Sequence, residues 1–158
     1  MMLFLVGAVL QATLLPAETW KERNHPDMPR IGMCRLTGSQ AIVTTINQLP
    51  PQVRLELVRF FGPVGGLSDA NGPFNSTDVI DGSVPSRRFI RAYHVAGRWI
   101  IWYEKGGMFH NVQTLALTPS NETHDGVALY RATGDTTFAG DPCAATRAIL
   151  SGVINASP

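Results

Sequence analysis

The side chains that could perform acid–base chemistry are few, and the strongest candidates are two histidines and a serine. His94 and His110 each carry an imidazole, which exchanges protons near neutral pH. Ser68 carries a hydroxyl that becomes a nucleophile only when such a base lies beside it. A small hydrolase that uses one of these histidines with Ser68 is therefore one hypothesis for the function.

The sequence around these residues weighs against that hypothesis. Residues 66–70 have the small side chains of a nucleophile elbow, but that motif needs a strand before the serine and a helix after it. Here a predicted helix precedes the run and Asn-Gly-Pro follows it. Neither histidine belongs to an HExxH pattern and the cysteines are not closely spaced, so the sequence predicts no metal site and no cofactor. A hydrogen-bonded structural histidine is the simpler interpretation of both positions.

A second group of side chains is suited to binding. Between residues 88 and 117, three runs are dense in aromatic and β-branched residues, and Ala96-Gly97 and Gly106-Gly107 separate them. This pattern predicts an antiparallel meander. If both glycine pairs are two-residue turns, directly opposed residues share a face, and the faces of the sheet follow.

One predicted face of the meander mixes flat aromatic rings with hydrogen-bonding groups, which is typical of a binding surface. Its predicted ligand-binding residues are Arg91, Tyr93, Trp102, Asn111 and Gln113, with Phe89, Ile100, Glu104 and Phe109 beside them. The other face is the predicted core face, with Ile90, Ala92, His94, Trp99, Ile101, Tyr103, His110, Val112 and Thr114. The alternative is that Arg91 merely stacks over Trp102 and that a helix covers the rest.

Helices before and after these strands predict an α+β fold. A helix over residues 51–61 begins at a proline pair and ends before Gly62-Pro63, and a second one starts after Asp141 and ends at Gly152. A polar turn over residues 119–126 and a strand over 127–132 complete a meander of about four strands on one or two helices. Residues 41–46 are rich in β-branched residues but do not alternate with polar ones, so the sequence is compatible with either a helix or a strand there. The connection over residues 62–87 is unusually long, which makes it the second candidate for a functional surface.

Cys34 and Cys143 are the only cysteines, and they lie near the two ends of the folded part of the chain. A single intramolecular disulfide is the only pairing available within the chain, and it would close a loop of about 100 residues. Two separate buried thiols, the default in a reducing cytosol, are the alternative. The disulfide interpretation therefore depends on export.

Residues 1–17 form an uncharged apolar run that is shorter than the roughly 20 residues of a membrane-crossing helix. The run predicts a signal peptide, although a positive n-region is missing, and it predicts no stable membrane span. Residues 18–158 then form a single domain in the periplasm or outside the cell.

Composition narrows the function classes further. With 13 basic and 12 acidic residues, the net charge of +1 gives no electrostatic reason to expect a nucleic-acid partner. The main hypothesis is an exported binding or interaction module, inhibitory or envelope-associated, for a protein or small-molecule ligand. The histidine-based hydrolase is the alternative.

Overall fold

The structure is a computed structural model, and it describes residues 31–62, 66–79 and 82–155. The predicted signal peptide lies outside these residues. Within them, no helix is both long enough and apolar enough to cross a membrane.

In the part of the chain that the structure describes, five antiparallel strands form one sheet, in which every strand lies next to its neighbours in the sequence. The strands are β1 (Ser39–Val43), β2 (Arg87–Val95), β3 (Arg98–Lys105), β4 (Asn111–His124) and β5 (Val127–Ala139). Two α-helices accompany the sheet, α1 (Pro51–Phe61) and α2 (Pro142–Leu150), and a short 3₁₀ helix (Ile46–Gln48) precedes α1. The predicted α+β class is confirmed. The structure has one more strand than predicted, because β1 overlaps residues 41–46, for which the sequence allowed a helix or a strand.

The helix ends follow the predicted local chemistry. Pro51 occupies the first turn of α1, where its missing N–H breaks no hydrogen bond, and Gly62 ends the helix with a φ of +72°. Asp141 caps α2 by accepting a hydrogen bond of 2.6 Å from the backbone N–H of Ala144. The first helix therefore begins and ends where the sequence predicts, whereas α2 begins as predicted and ends at Leu150, two residues before the predicted Gly152.

The first glycine turn is confirmed and the second is wrong. Val95 pairs with Arg98, so Ala96-Gly97 is a two-residue turn, and both of its residues have positive φ. Lys105 instead pairs with Asn111, which leaves a five-residue loop between β3 and β4.

Contact with the long connection explains the wider loop. The backbone N–H of Gly106 donates to the carbonyl of Ser86 at 2.9 Å, and that of Gly107 donates to Ser76 at 3.2 Å. A Cβ atom on Gly106 would lie 2.0 Å from the carbonyl oxygen of Asn75. Gly106 therefore permits a close approach of two backbones and does not form a tight turn.

This loop changes which residues of β4 share a face. The pairing moves by three residues from that of a two-residue turn, and an odd shift reverses the two faces of a strand. Val112 and Thr114 consequently lie on the face of Trp102, whereas Asn111 and Gln113 lie on the opposite face. A register shift in β2 between Phe89 and Arg91 likewise exchanges the predicted faces of Phe89 and Ile90.

The hairpin between β4 and β5 also differs from its prediction. Only Asp125-Gly126 form the turn, both with positive φ, and β4 continues through most of the predicted polar turn to His124. The unbroken polar run over residues 120–124 is compatible with the exposed tip of a two-stranded ribbon, because neither face of this tip meets a core.

Both faces of the sheet bury apolar side chains. On the first face α1 covers a cluster formed by Leu49, Val53, Leu57, Phe61, Phe89, Ala92, Trp99, Ile101, Tyr103, Leu115, Leu117 and Ala132. On the second face α2 and the segment around Cys34 cover Tyr93, Val95, Ile100, Trp102, Ala116 and Ile149. The predicted burial of Trp99 and Ile101 is confirmed.

The predicted disulfide is confirmed. Cys34 and Cys143 are bonded, with their Cα atoms 5.4 Å apart and 109 positions between them in the sequence. The bond ties the chain segment before β1 to the first turn of α2.

Candidate functional site

The predicted binding surface is largely covered, because its two central aromatic residues have no exposed surface. Trp102 and Tyr93 are both 0% exposed. The indole N–H of Trp102 donates to the hydroxyl of Thr146 in α2 at 2.9 Å, and the hydroxyl of Tyr93 accepts from the backbone N–H of Cys34 at 3.0 Å. These aromatic residues therefore hold α2 and the disulfide segment against the sheet.

The other three predicted ligand-binding residues have separate surroundings. The guanidinium of Arg91 lies 5.6 Å from the centre of the Trp102 ring and donates to the carbonyl of Ile31 at 3.1 Å. Asn111 donates to the carbonyl of Phe109 at 2.8 Å, and Gln113 accepts from the hydroxyl of Tyr103 at 2.6 Å. The structure thus brings together Arg91, Tyr93 and Trp102, and places Asn111 and Gln113 across the sheet from them.

Beside α2, the second face of the sheet carries a groove of about 450 Å³. We name it the Trp102 groove and define it by its lining residues, which are Ile31, Gly32, Met33, Trp102, Val112, Gly140, Asp141, Pro142 and Cys143. One wall is the segment before the disulfide and the other is the start of α2, with Trp102 and Val112 of the sheet between them. Its volume falls in the range of small-molecule sites.

The walls of the Trp102 groove are fixed by bonds that already exist in the free protein. The disulfide joins one wall to the other, and Arg91 holds the first wall through the carbonyl of Ile31. The backbone N–H of Gly140 donates to the carbonyl of Val112 at 3.0 Å, which fixes the second wall to β4. A ligand would therefore enter a preformed site and would not have to order it.

The lining of the Trp102 groove is mainly apolar. Ile31, Met33, Val112 and Pro142 supply aliphatic surface, whereas Trp102 borders the groove with its own side chain fully buried. The charged group in the lining, the carboxylate of Asp141, already caps α2 through Ala144. This lining suits an apolar or aromatic group of modest size.

A buried charged cluster lies on the same face of the sheet, next to the groove. Glu104 pairs with Arg88 on one side and with Val112 of the groove on the other. Its Oε2 accepts from Nε and Nη2 of Arg88 at 3.0 and 2.6 Å, and its Oε1 lies 2.5 Å from Nε2 of His110. The Phe74 ring covers this cluster, with the Arg88 guanidinium 4.9 Å from its centre.

This cluster gives His110 an orienting acid, which is the arrangement that a general base needs. The side chain of Glu104 is 1% exposed, whereas that of His110 is 28% exposed and reaches solvent. The sequence analysis did not pair Glu104 with His110. A signal was available in the sequence. With a two-residue turn at Ala96-Gly97, Arg88 would pair with Lys105, so a single bulge in β2 is enough to pair Arg88 with Glu104.

The remaining predicted catalytic residues do not join His110. His94 stacks on Trp99 on the first face, with ring centres 4.9 Å apart. The hydroxyl of Ser68 donates to the backbone carbonyl of Arg87 at 3.3 Å. In the part of the chain that the structure describes, no hydrogen bond connects Ser68 with either histidine, so an imidazole and an acid meet without a serine nucleophile.

A second buried acid, Glu56, lies in α1. It accepts from Nε and Nη2 of Arg59 at 2.6 and 2.5 Å, from the backbone N–H of Ala132 at 2.7 Å and from Arg131 at 3.3 Å. Burial alone raises the pKa of Glu56, but the hydrogen bonds from Arg59 and Ala132 and the charges of Arg59 and Arg131 lower it overall. Glu56 fastens α1 to β5 and takes no part in the groove.

Comparisons with known proteins do not identify a function. No family model matches the chain, and neither the curated proteins nor the solved structures include a match to it. Within residues 31–62, 66–79 and 82–155, no group of three or more histidine, cysteine, aspartate or glutamate side chains could hold a metal ion.

Proposed function

We propose that this protein is an exported binding module and that the Trp102 groove takes a small apolar or aromatic ligand group. One observation carries the proposal: the groove is preformed, with about 450 Å³ of space between two walls that a disulfide joins. The lining supports the ligand class, because Ile31, Met33 and Val112 offer apolar contact area and little competing charge.

Export to the periplasm or the extracellular space is part of this proposal. The Cys34–Cys143 bond supports it, because structural disulfides form and persist in oxidising compartments. The processed protein should begin near Glu18 and should show no free thiol until it is denatured and reduced. Intact Met1 together with two titratable thiols in the native protein would overturn the export part.

A filling substitution with a matched control tests the groove. Gly32 lines the groove and Gly134 lies in β5, and a Cβ atom at either position meets no atom within 4 Å. Phenylalanine at position 32 occupies space beside the groove, whereas phenylalanine at position 134 adds the same bulk elsewhere. With indole as the probe, Gly32→Phe should weaken binding by at least about tenfold, or 1.4 kcal/mol, and Gly134→Phe should not.

The measurement is a titration of ¹⁵N-labelled protein with indole, followed by the amide resonances of residues 31–33, 112, 140, 141 and 143. Shifts confined to these amides and lost in Gly32→Phe support the groove as the site. Shifts elsewhere, or equal affinity in Gly32→Phe and Gly134→Phe, would remove the groove from consideration.

A hydrolase that uses His110 is the second candidate, and the contact between His110 and Glu104 favours it. Since no serine hydroxyl lies in hydrogen-bond contact with His110 in the described residues, this enzyme would activate water. Hydrolysis of p-nitrophenyl acetate that exceeds the rate with free imidazole and disappears in His110→Arg would establish this candidate. Equal rates for wild type and His110→Arg would reject it.

A further inference from the structure

The hydrogen bonds of Glu104 determine which nitrogen of His110 carries the proton. Oε2 of Glu104 accepts two hydrogen bonds from Arg88, and Oε1 lies 2.5 Å from Nε2 of His110. An ionised carboxylate can only accept, so Nε2 of His110 must donate. A neutral imidazole has a single N–H, and its other nitrogen, Nδ1, therefore keeps a lone pair that accepts a hydrogen bond.

His110 lies next to the Trp102 groove and does not line it. Its side chain is on the second face of the sheet, because its Nε2 contacts Glu104, and it precedes Val112 by two residues. Val112 lines the groove and pairs with Glu104, to which His110 is bonded. The Phe74 ring lies 5.9 Å from the His110 ring and covers part of it, but 28% of the side chain remains accessible.

We infer that the groove selects ligands that combine an apolar ring or chain with a hydrogen-bond donor, and that Nδ1 of His110 receives this donor. The inference rests on the proposed function, because it names the chemistry of the ligand for the same groove. An anionic group in place of the donor is disfavoured while His110 is neutral, since it would meet a lone pair with the buried carboxylate of Glu104 behind it.

The tautomer of His110 can be measured without any ligand. Long-range ¹H–¹⁵N correlation spectra of the native protein distinguish a protonated Nε2 from a protonated Nδ1. At a pH where His110 is neutral, the spectra should show Nε2 protonated and Nδ1 with the shift of an unprotonated nitrogen. A neutral His110 with its proton on Nδ1 would overturn the inference.

Two isosteric probes test the selection itself. Indole carries an N–H donor, and benzofuran has the same shape with an ether oxygen in its place. Wild-type protein should bind indole about three- to tenfold more tightly than benzofuran, which is the range expected from one net hydrogen bond. Equal affinities would overturn the selection by His110 and leave the proposed groove intact, whereas binding of neither probe would count against the proposed function.

A variant of His110 assigns the preference to its side chain. Arginine at position 110 still offers N–H groups to Glu104 but has no acceptor, so the ratio of indole to benzofuran affinity should fall to one or below in His110→Arg. His110→Lys, which also donates and cannot accept, serves if the arginine variant does not fold. A preference for indole that persists in the folded variant would show that another acceptor is used and would overturn the role of His110.

Discussion

At the scale of single residues, the buried polar groups of this protein differ in whether they have partners. Glu104 uses both carboxylate oxygens, and the hydroxyl of Thr146 accepts from Trp102 and donates to the carbonyl of Pro142 at 2.7 Å. The hydroxyl of Thr114 is buried without a hydrogen-bond partner among the described residues, although it lies directly opposite Trp102 in the sheet. Burial removes this hydroxyl from water, and no hydrogen bond within the protein compensates for the lost hydration.

Replacing each of these threonines with valine should therefore have opposite effects. Thr114→Val removes an unpaired hydroxyl at nearly constant volume and should raise the free energy of unfolding by about 1 kcal/mol. Thr146→Val breaks two hydrogen bonds and should lower it by about 1–3 kcal/mol. Urea denaturation of the two variants measures both effects. A loss of stability in Thr114→Val would indicate that its hydroxyl has a partner.

The phenol of Tyr103 should ionise at a higher pH than an exposed tyrosine does. Burial raises its pKa to about 12, although the nearby positive charge of Arg87 acts in the opposite direction. Because the folded pKa lies above the ordinary value near 10, the neutral phenol contributes stability below pH 10, and this contribution is lost as the pH rises toward 12. Absorbance of the phenolate in wild type minus Tyr103→Phe should therefore rise close to pH 12, whereas a rise near pH 10 would contradict the burial.

At the scale of elements, local signals predicted the helices and the first hairpin, and long-range contacts decided the rest. Prolines, Asp141 and Gly62 act within one turn of a helix, so the sequence around them was sufficient. The function of Gly106 depends on Asn75, more than 30 positions earlier, and no local pattern reveals that contact. The resulting three-residue change in pairing moved Val112 to the groove and Gln113 away from it.

The contact between α1 and β5 should weaken in acid. The pKa of Glu56 is below its usual value, so its carboxylate contributes stability above about pH 4.5, and this contribution is lost as the pH falls through the lowered pKa. Glu56→Gln should lower the free energy of unfolding at pH 7 by about 1.5–3 kcal/mol, because it loses charged hydrogen bonds. The difference between variant and wild type should shrink below pH 4. A constant difference down to pH 2 would show that the charge of Glu56 does not matter.

At the scale of the whole molecule, both faces of the sheet are covered, and the disulfide borders the groove that we propose as the binding site. On the first face α1 closes over the larger apolar cluster. On the second face α2 is shorter and covers the middle of the sheet, so the groove opens between its first turn and the segment before Cys34. The sequence predicted the bond and the aromatic residues near it, but not the groove, which exists only because distant segments meet there.

Removal of the disulfide should therefore affect binding and stability separately. In the chain-entropy model, a bond across 109 positions contributes about 4–5 kcal/mol, so the double variant Cys34→Ala, Cys143→Ala should lose much of its stability. In addition, the wall formed by residues 31–33 loses its covalent tie to α2, so indole should bind more weakly even under conditions where the variant is fully folded. Glu56→Gln provides the control, because it also destabilises the fold, acts on α1 away from the groove and leaves the bond intact. If the folded double variant bound indole as tightly as Glu56→Gln does, the walls would be held by packing alone, and the disulfide would serve only the stability of the fold.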